Sequence, residues 1–161
     1  SRTSVALLEL LCRDVWKIKP KFAEARAEAQ DLDALAALPH EAVLVIGDAA
    51  LKLAAAGTYP YRYDLGEEWK RWTGKPFVFA VWAAKRGANT DSAHKALLAS
   101  RAWGLEHLDE LAAETASITN LPVATCREYL SGLDYAFTDR HRSALNDFLR
   151  RAGAPQYIQV A

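Results

Sequence analysis

The first apolar stripe of the chain predicts a helix over residues 1–15, because its members recur every three or four positions. Those members are Val5, Leu8, Cys12 and Val15. Residues 15–25 alternate apolar and basic side chains before Pro20 and predict a short exposed strand. Residues 28–38 are rich in alanine, leucine and acidic side chains and predict a second helix that ends before Pro39.

Two continuous apolar runs predict strands. Residues 43–46 read VLVI, and residues 77–83 read FVFAVWA. An unbroken β-branched and aliphatic run is typical of a strand buried on both faces of a parallel sheet. Two short helices are expected between the runs, one stopped by Gly57 and the other lying between Gly66 and Gly74.

Beyond residue 89 the pattern is helical throughout. The predicted helices cover 91–104, 105–116, 122–130 and 138–153. In the last of them Thr138 is the expected cap and Gly153 the expected stop. Its apolar stripe is expected to be exposed in this chain and to pack on another lobe. The stripe consists of Ala144, Leu145, Phe148, Leu149 and Ala152. The chain is thus α/β in its first half and α in its second.

Composition narrows the functional class. The 161 residues suffice for one domain with a core, and 20 basic residues balance 20 acidic ones. Such a balance argues against nucleic acid or a membrane surface as a partner.

We expect Cys12 and Cys126 to be reduced and buried. The four histidines lack ligand spacing, so we expect no metal site. Methionine is absent, and we expect the chain to be the later part of a longer polypeptide.

Hydroxyl groups crowd the first predicted helix start, where the chain reads Ser1, Arg2, Thr3 and Ser4. A helix start leaves backbone N–H groups without partners and carries partial positive charge. One hydroxyl is enough for capping. Three hydroxyls and a cation also suit a carboxylate docked on the helix terminus. Capping and anion binding both remain open.

The second candidate position is Gly47-Asp48, which follows the first apolar run and precedes a helix. In open α/β folds, ligands bind at the carboxyl ends of the strands. Gly47 permits close approach of the backbone. Asp48 is either an ordinary helix cap or a general acid or base that faces the cleft.

Aromatic residues cluster in the middle of the chain. They are Tyr59, Tyr61, Tyr63, Trp69, Trp72, Phe77, Phe79 and Trp82. Such residues usually fill a core or a hinge surface, although a planar ring substrate can stack on one of them.

Three stretches together identify a resemblance. SRTSVALL, VLVIGDAAL and YDLGEEWKRWTGKPFVFAVWA resemble the MqnA family of menaquinone biosynthesis enzymes, the chorismate dehydratases, in order and in spacing. The resemblance covers residues 1 to about 84. It implies a periplasmic-binding-protein-like (type II) fold of two α/β lobes around a cleft, with the first lobe largely absent from this chain. Residues 1–76 would form the second lobe, 77–86 a crossover strand and 87–161 a helical segment packing back on the first lobe.

The resemblance also implies an activity. The expected enzyme is a cytoplasmic lyase of the futalosine pathway that converts chorismate to 3-[(1-carboxyvinyl)oxy]benzoate by loss of water, with no metal or organic cofactor. The start of the first helix, Ser1 to Ser4, together with Gly47, would bind the dicarboxylate substrate. Asp48 would orient the substrate or protonate the departing hydroxyl, with a substrate carboxylate acting as base.

Two alternatives stay open at this point. The related 1,4-dihydroxy-6-naphthoate synthases carry a His-Glu pair where this chain has Gly47-Asp48, a difference that favours the dehydratase. A solute-binding protein that captures a small carboxylate without catalysis would share the same fold.

Overall fold

A computed structural model describes residues 1–24, 34–35 and 37–153. The chain divides into two units, one made of Ser1–Phe79 with Phe137–Ala161 and the other of Ala80–Ala136. In chain order the elements are α1 (Arg2–Leu10), a π-helical segment (Leu11–Trp16), α2 (Gly47–Ala56), α3 (Leu65–Thr73), α4 (Asp91–Glu106), α5 (Leu108–Thr119), α6 (Val123–Gly132) and α7 (Asp139–Arg151).

The predicted first helix is confirmed, but its last turns widen into the π-helical segment. That segment ends at Lys17, whose φ of 55° is left-handed, and the N–H of Ile18 donates to the carbonyl of Cys12 at 2.9 Å. The strand predicted over 15–25 is wrong for the residues that the structure describes. Its first residues are helical, and the left-handed Lys17 turns the chain out of the helix. Ala25 lies outside the described residues, as does most of the helix predicted over 28–38.

The core of the first unit is built on Trp69 of α3, whose side chain is fully buried. Its ring meets the edges of Trp72 and Phe77 at 5.6 Å and that of Phe148 at 6.0 Å. The indole N–H donates to the carbonyl of Pro76 at 3.2 Å, so the polar atom of the buried ring is satisfied. The buried members of this cluster are Leu7, Leu10, Leu11, Trp69 and Phe148.

Helix α7 joins this core, and the expectation of an exposed stripe is wrong for its central residues. Ala144 and Phe148 are buried, and Leu149 packs against the cluster. The reason is that Trp69 and Phe77 of the same chain supply the apolar partner. The start of α7 agrees with the prediction, since Thr138 is its N-cap.

A buried carboxylate on α7 forms ion pairs with three cationic side chains. Asp147 accepts from Lys75 at 3.1 Å, from Arg150 at 2.5 Å and from Arg151 at 3.0 Å. Burial on its own would raise the pKa of Asp147, but the hydrogen bonds from Arg151, Lys75 and Arg150 together hold that pKa below its ordinary value. The guanidinium of Arg151 also lies 4.4 Å from the ring centre of Trp72. The network ties α7 to the residues that follow α3.

The second unit rests on the packing of α5 against α6. Ala112 and Cys126 are fully buried there, and the Thr119 hydroxyl lies 3.8 Å from the sulfur of Cys126. Helix α4, which the structure describes in full, buries none of its residues. Cys126 and Cys12 are both buried and free, as predicted.

The two predicted strands do not form among the described residues. Residues 43–45 are half-buried and non-helical, and Ile46 is exposed. In the second run Phe79, Val81 and Trp82 are exposed, Trp82 by 84 %. A buried strand needs a neighbouring backbone to pair with its N–H and C=O groups, and no described segment supplies one. Both strand predictions are wrong here, whereas the two-lobe α/β fold and the domain bounds stay predictions.

No helix within the described ranges combines the length and the apolar composition that crossing a membrane requires.

Candidate functional site

The start of α1 is capped by its own first residue. Ser1 is the N-cap, and its hydroxyl accepts the N–H of Ser4 at 3.4 Å, while its carbonyl accepts the N–H of Val5 at 3.2 Å. Ser4 is buried beneath this turn. Thr3 is half-buried and Arg2 is exposed. Capping therefore occupies the hydroxyl of Ser1, and Arg2 and Thr3 are the solvent-reaching members of the stretch whose side chains the cap does not use.

The apolar core of the first unit supports this turn. Leu7 and Leu10 lie one and two turns further along α1 and are buried against Trp69. Among the described residues Arg2 makes no ion pair, so its charge is available to an anion. The helix dipole adds partial positive charge at the same point.

The start of α2 is built differently. Its N-cap is Ile46, which has no side-chain oxygen, and Gly47 adopts a left-handed φ of 62°. Asp48 is exposed in the first helical turn, so its interpretation as the cap of α2 is wrong. A Cβ placed on Gly47 would have no heavy atom within 4 Å, so the glycine serves the backbone conformation. The Asp48 carboxylate lies in the first turn of α2, at the positive end of the helix dipole.

In the part of the chain that the structure describes, no hydrogen bond or ion pair joins the start of α1 to Gly47 or Asp48. Each turn is exposed in the first unit and can receive a ligand group. Their use of one shared crevice stays a prediction.

His40, which no sequence motif singles out, contacts Tyr59 across the segment that contains Gly47 and Asp48. His40 places Nε2 2.5 Å from the Tyr59 hydroxyl and Nδ1 2.7 Å from the carbonyl of Leu38. The two residues are 19 positions apart, and neither lies in an apolar stripe. A pairing of this kind leaves no periodic trace in the sequence.

The aromatic residues divide between core and surface. Trp69, Trp72 and Phe77 belong to the core, as favoured from the sequence. Tyr61 is 78 % exposed, and Tyr63 is exposed while its ring lies 5.6 Å from Trp16. Phe79 is also exposed, so stacking of a planar ligand within the first unit falls to Tyr61, Tyr63 or Phe79 rather than to the core rings.

Two further histidines make contacts of their own, His141 with the hydroxyl of Thr138 and His107 with Trp103. His107 stacks on Trp103 with ring centres 4.2 Å apart. Within the described ranges no three His, Cys, Asp or Glu side chains come together as a metal-binding group.

Comparison with known proteins gives these turns a context. A protein-family model described as menaquinone biosynthesis matches residues 1–154. A chorismate dehydratase from Thermus thermophilus is 34 % identical over 171 aligned positions, which cover 96 % of this chain and 61 % of the relative. The chain thus spans about three-fifths of the length of that relative.

Proposed function

Because the chain belongs to the menaquinone biosynthesis family, we propose that it carries the activity of a chorismate dehydratase. The observation that carries the proposal is the 34 % identity to the Thermus thermophilus enzyme across 96 % of the chain. The family model matches residues 1–154, which include both candidate turns. The alternative of a dihydroxynaphthoate synthase is disfavoured, since Gly47-Asp48 stands in place of a His-Glu pair.

The proposed reaction is the loss of water from chorismate to give 3-[(1-carboxyvinyl)oxy]benzoate. The ring C3 proton and the C4 hydroxyl leave together as one water molecule, and the ring becomes aromatic. Since aromatisation supplies much of the driving force, the protein has to position the substrate and stabilise charge.

The start of α1 would bind one carboxylate of the substrate. Arg2 is exposed, Thr3 reaches solvent, and free N–H groups of the first helical turn point toward the same place. A carboxylate there gains charge-assisted hydrogen bonds and the favourable end of the helix dipole. Ser1 and Ser4 would act by shaping this turn, through the bond between the Ser1 hydroxyl and the Ser4 N–H.

The start of α2 would act on the reacting ring. Gly47 lets the ring approach the backbone, and Asp48 is exposed without a hydrogen-bond partner among the described residues. We assign Asp48 the role of orienting the C4 hydroxyl or protonating it as it leaves. A substrate carboxylate would remove the C3 proton.

The same proposal includes the setting of the enzyme. The chain would form one α/β lobe of a two-lobe, periplasmic-binding-protein-like fold and its C-terminal helices, with the substrate between the lobes. It would work in the cytoplasm on a small dicarboxylate, without metal or organic cofactor.

The test is to express the complete gene, incubate the protein with chorismate and record the absorbance of an aromatic product. We expect turnover that is unaffected by a metal chelator. In Asp48→Asn we expect kcat to fall by about a hundredfold or more. The matched control is Asp139→Asn, an exposed carboxylate in the first turn of α7.

Three outcomes would contradict parts of this proposal. Binding of chorismate without product favours a solute-binding protein. Turnover that stops with a chelator removes the cofactor-free mechanism. Near-normal turnover in Asp48→Asn removes Asp48 from the reaction.

A further inference from the structure

His40 and Tyr59 connect the two ends of the segment that carries Gly47 and Asp48. Nδ1 of His40 lies 2.7 Å from the Leu38 carbonyl, an oxygen that can only accept, so this nitrogen carries the proton. Nε2 lies 2.5 Å from the Tyr59 hydroxyl, and the ring centres are 5.9 Å apart. The imidazole is therefore oriented on one side by the backbone and bonded on the other to the phenol.

Among the residues that the structure describes, the segment between these two residues is mostly half-buried or exposed. It contains residues 43–46, the Gly47–Asp48 turn and α2, and Ala49 is the sole buried residue of the ten in that helix. Ile46 is 48 % exposed and gives the helix no side-chain cap. Residues 43–45 and 50–54 are half-buried, so a polar contact that joins the two ends adds substantially to what holds the segment.

We propose that His40 and Tyr59 are positioning residues, which hold residues 41–58 closed so that Asp48 stays aligned with the substrate. The proposal rests on the proposed function for its substrate, and on the His40–Tyr59 geometry for its mechanism. A reacting group that shifts by about 1 Å loses much of its effect on the rate, so a clamp away from the chemistry alters kcat.

Four variants separate the clamp from a general effect on folding. Tyr59→Phe removes the hydroxyl and keeps the ring. His40→Asn keeps a donor for the Leu38 carbonyl but is too short to reach Tyr59, whereas His40→Gln can reach the hydroxyl. Tyr135→Phe is the control, because Tyr135 is exposed, belongs to the second unit and makes no side-chain hydrogen bond with a described residue.

The measurements are amide hydrogen exchange and chorismate turnover on the protein expressed from its complete gene. In Tyr59→Phe and His40→Asn we expect amides of residues 43–49 to exchange about fivefold faster, as for the loss of one hydrogen bond. Exchange in α1 should stay unchanged. We expect kcat to fall by a similar factor, and His40→Gln to restore most of both effects. The double variant should lose no more than either single one.

Three results would overturn the proposal or the proposed function on which it rests. If Tyr59→Phe matches Tyr135→Phe in exchange, the pair does not hold the segment and the proposal is overturned. If exchange rises while kcat is unchanged, the pair holds the segment without positioning a catalytic group, and the proposal is again overturned. A wild-type protein that makes no product overturns the proposed function, and the exchange data then decide the structural half of the proposal independently.

Discussion

The starts of α1 and α2 are both exposed, but different forces hold them. Behind the first turn of α1 lie Leu7 and Leu10, buried with Trp69 in the aromatic core. Burial of one such leucine contributes about 2–3 kcal/mol. Behind the first turn of α2 lies Ala49, and the flanking contact is the exposed hydrogen bond between His40 and Tyr59. A bond of that kind contributes about 1 kcal/mol.

The difference assigns separate tasks to the two turns. A turn fixed by apolar burial opens only when the core opens, so the start of α1 suits a preformed anion site. A turn fixed by a solvated hydrogen bond opens locally at low cost, so the start of α2 suits a group that closes on the substrate. The predictions below test this contrast in order of decreasing effect.

The largest effect is expected from the core that supports α1. Trp69→Ala should lower the free energy of unfolding by about 3–5 kcal/mol, because it removes a fully buried ring that packs against Trp72, Phe77 and Phe148. Chemical denaturation followed by circular dichroism measures the change. Trp82→Ala is the control, since Trp82 is 84 % exposed and its loss should cost less than about 0.5 kcal/mol. Equal losses of unfolding free energy in the two variants would mean that the burial of Trp69 does not stabilise the first unit.

The next effect concerns the carboxylate that ties α7 to this core. Asp147→Asn should lower the free energy of unfolding at neutral pH by about 1–3 kcal/mol, because three cations lose a charged acceptor. The lowered pKa of Asp147 sets the sign of the pH dependence. The contribution is complete above about pH 5, falls as the unfolded chain takes up the proton near about pH 3.9, and is lost once the pH passes the folded pKa.

Denaturation midpoints between about pH 2 and about pH 7 check this prediction. Asp147→Asn should show a flatter acid decline than the wild type, and Asp139→Asn, whose carboxylate is fully exposed, should follow the wild type. A decline of equal steepness in Asp147→Asn and the wild type would mean that the network does not govern acid stability.

A smaller effect is expected at the anion site itself. Arg2→Gln should raise KM for chorismate about tenfold with little change in kcat, because one charge-assisted contact to a substrate carboxylate is lost. Steady-state kinetics give both constants. Arg140→Gln, on the exposed surface of α7, is the matched control. A fall in kcat with KM unchanged would move Arg2 from binding to catalysis.

The smallest effect is expected at the far end of α2. Gly57 has φ of 64°, and a Cβ there meets no heavy atom within 4 Å, so Gly57→Ala costs only backbone strain, about 1 kcal/mol. Amide exchange in α2 should accelerate while α1 is unaffected. Gly132→Ala is the control, since Gly132 has an ordinary φ and equally open surroundings. Faster exchange in α1 as well would mean that the two turns open together.

Local signals in the sequence predicted the helix ends well. Gly57 and Gly74 take the left-handed cap conformation, and Thr138 begins α7, because such residues satisfy end groups without help from distant parts of the chain. The burial of Trp69 also followed from the aromatic cluster.

Features that depend on distant partners were not predictable in this way. The apolar runs 43–46 and 77–83 have strand composition, but composition does not supply a neighbouring backbone. The π-helical segment ends where Val15 and Trp16 pack against the core, and no residue type in this stretch marks the left-handed Lys17. The His40–Tyr59 pair joins residues 19 positions apart in two irregular segments, so no periodicity marks it.

Because Trp69 is fully buried, its intrinsic fluorescence reports on the aromatic core. Of the five tryptophans, this one has no contact with water, whereas Trp82 is almost wholly in water. Their emission should therefore peak at different wavelengths and differ in sensitivity to a soluble quencher such as acrylamide. Fluorescence thus distinguishes, without any label, the loosening of the aromatic core from events at the protein surface.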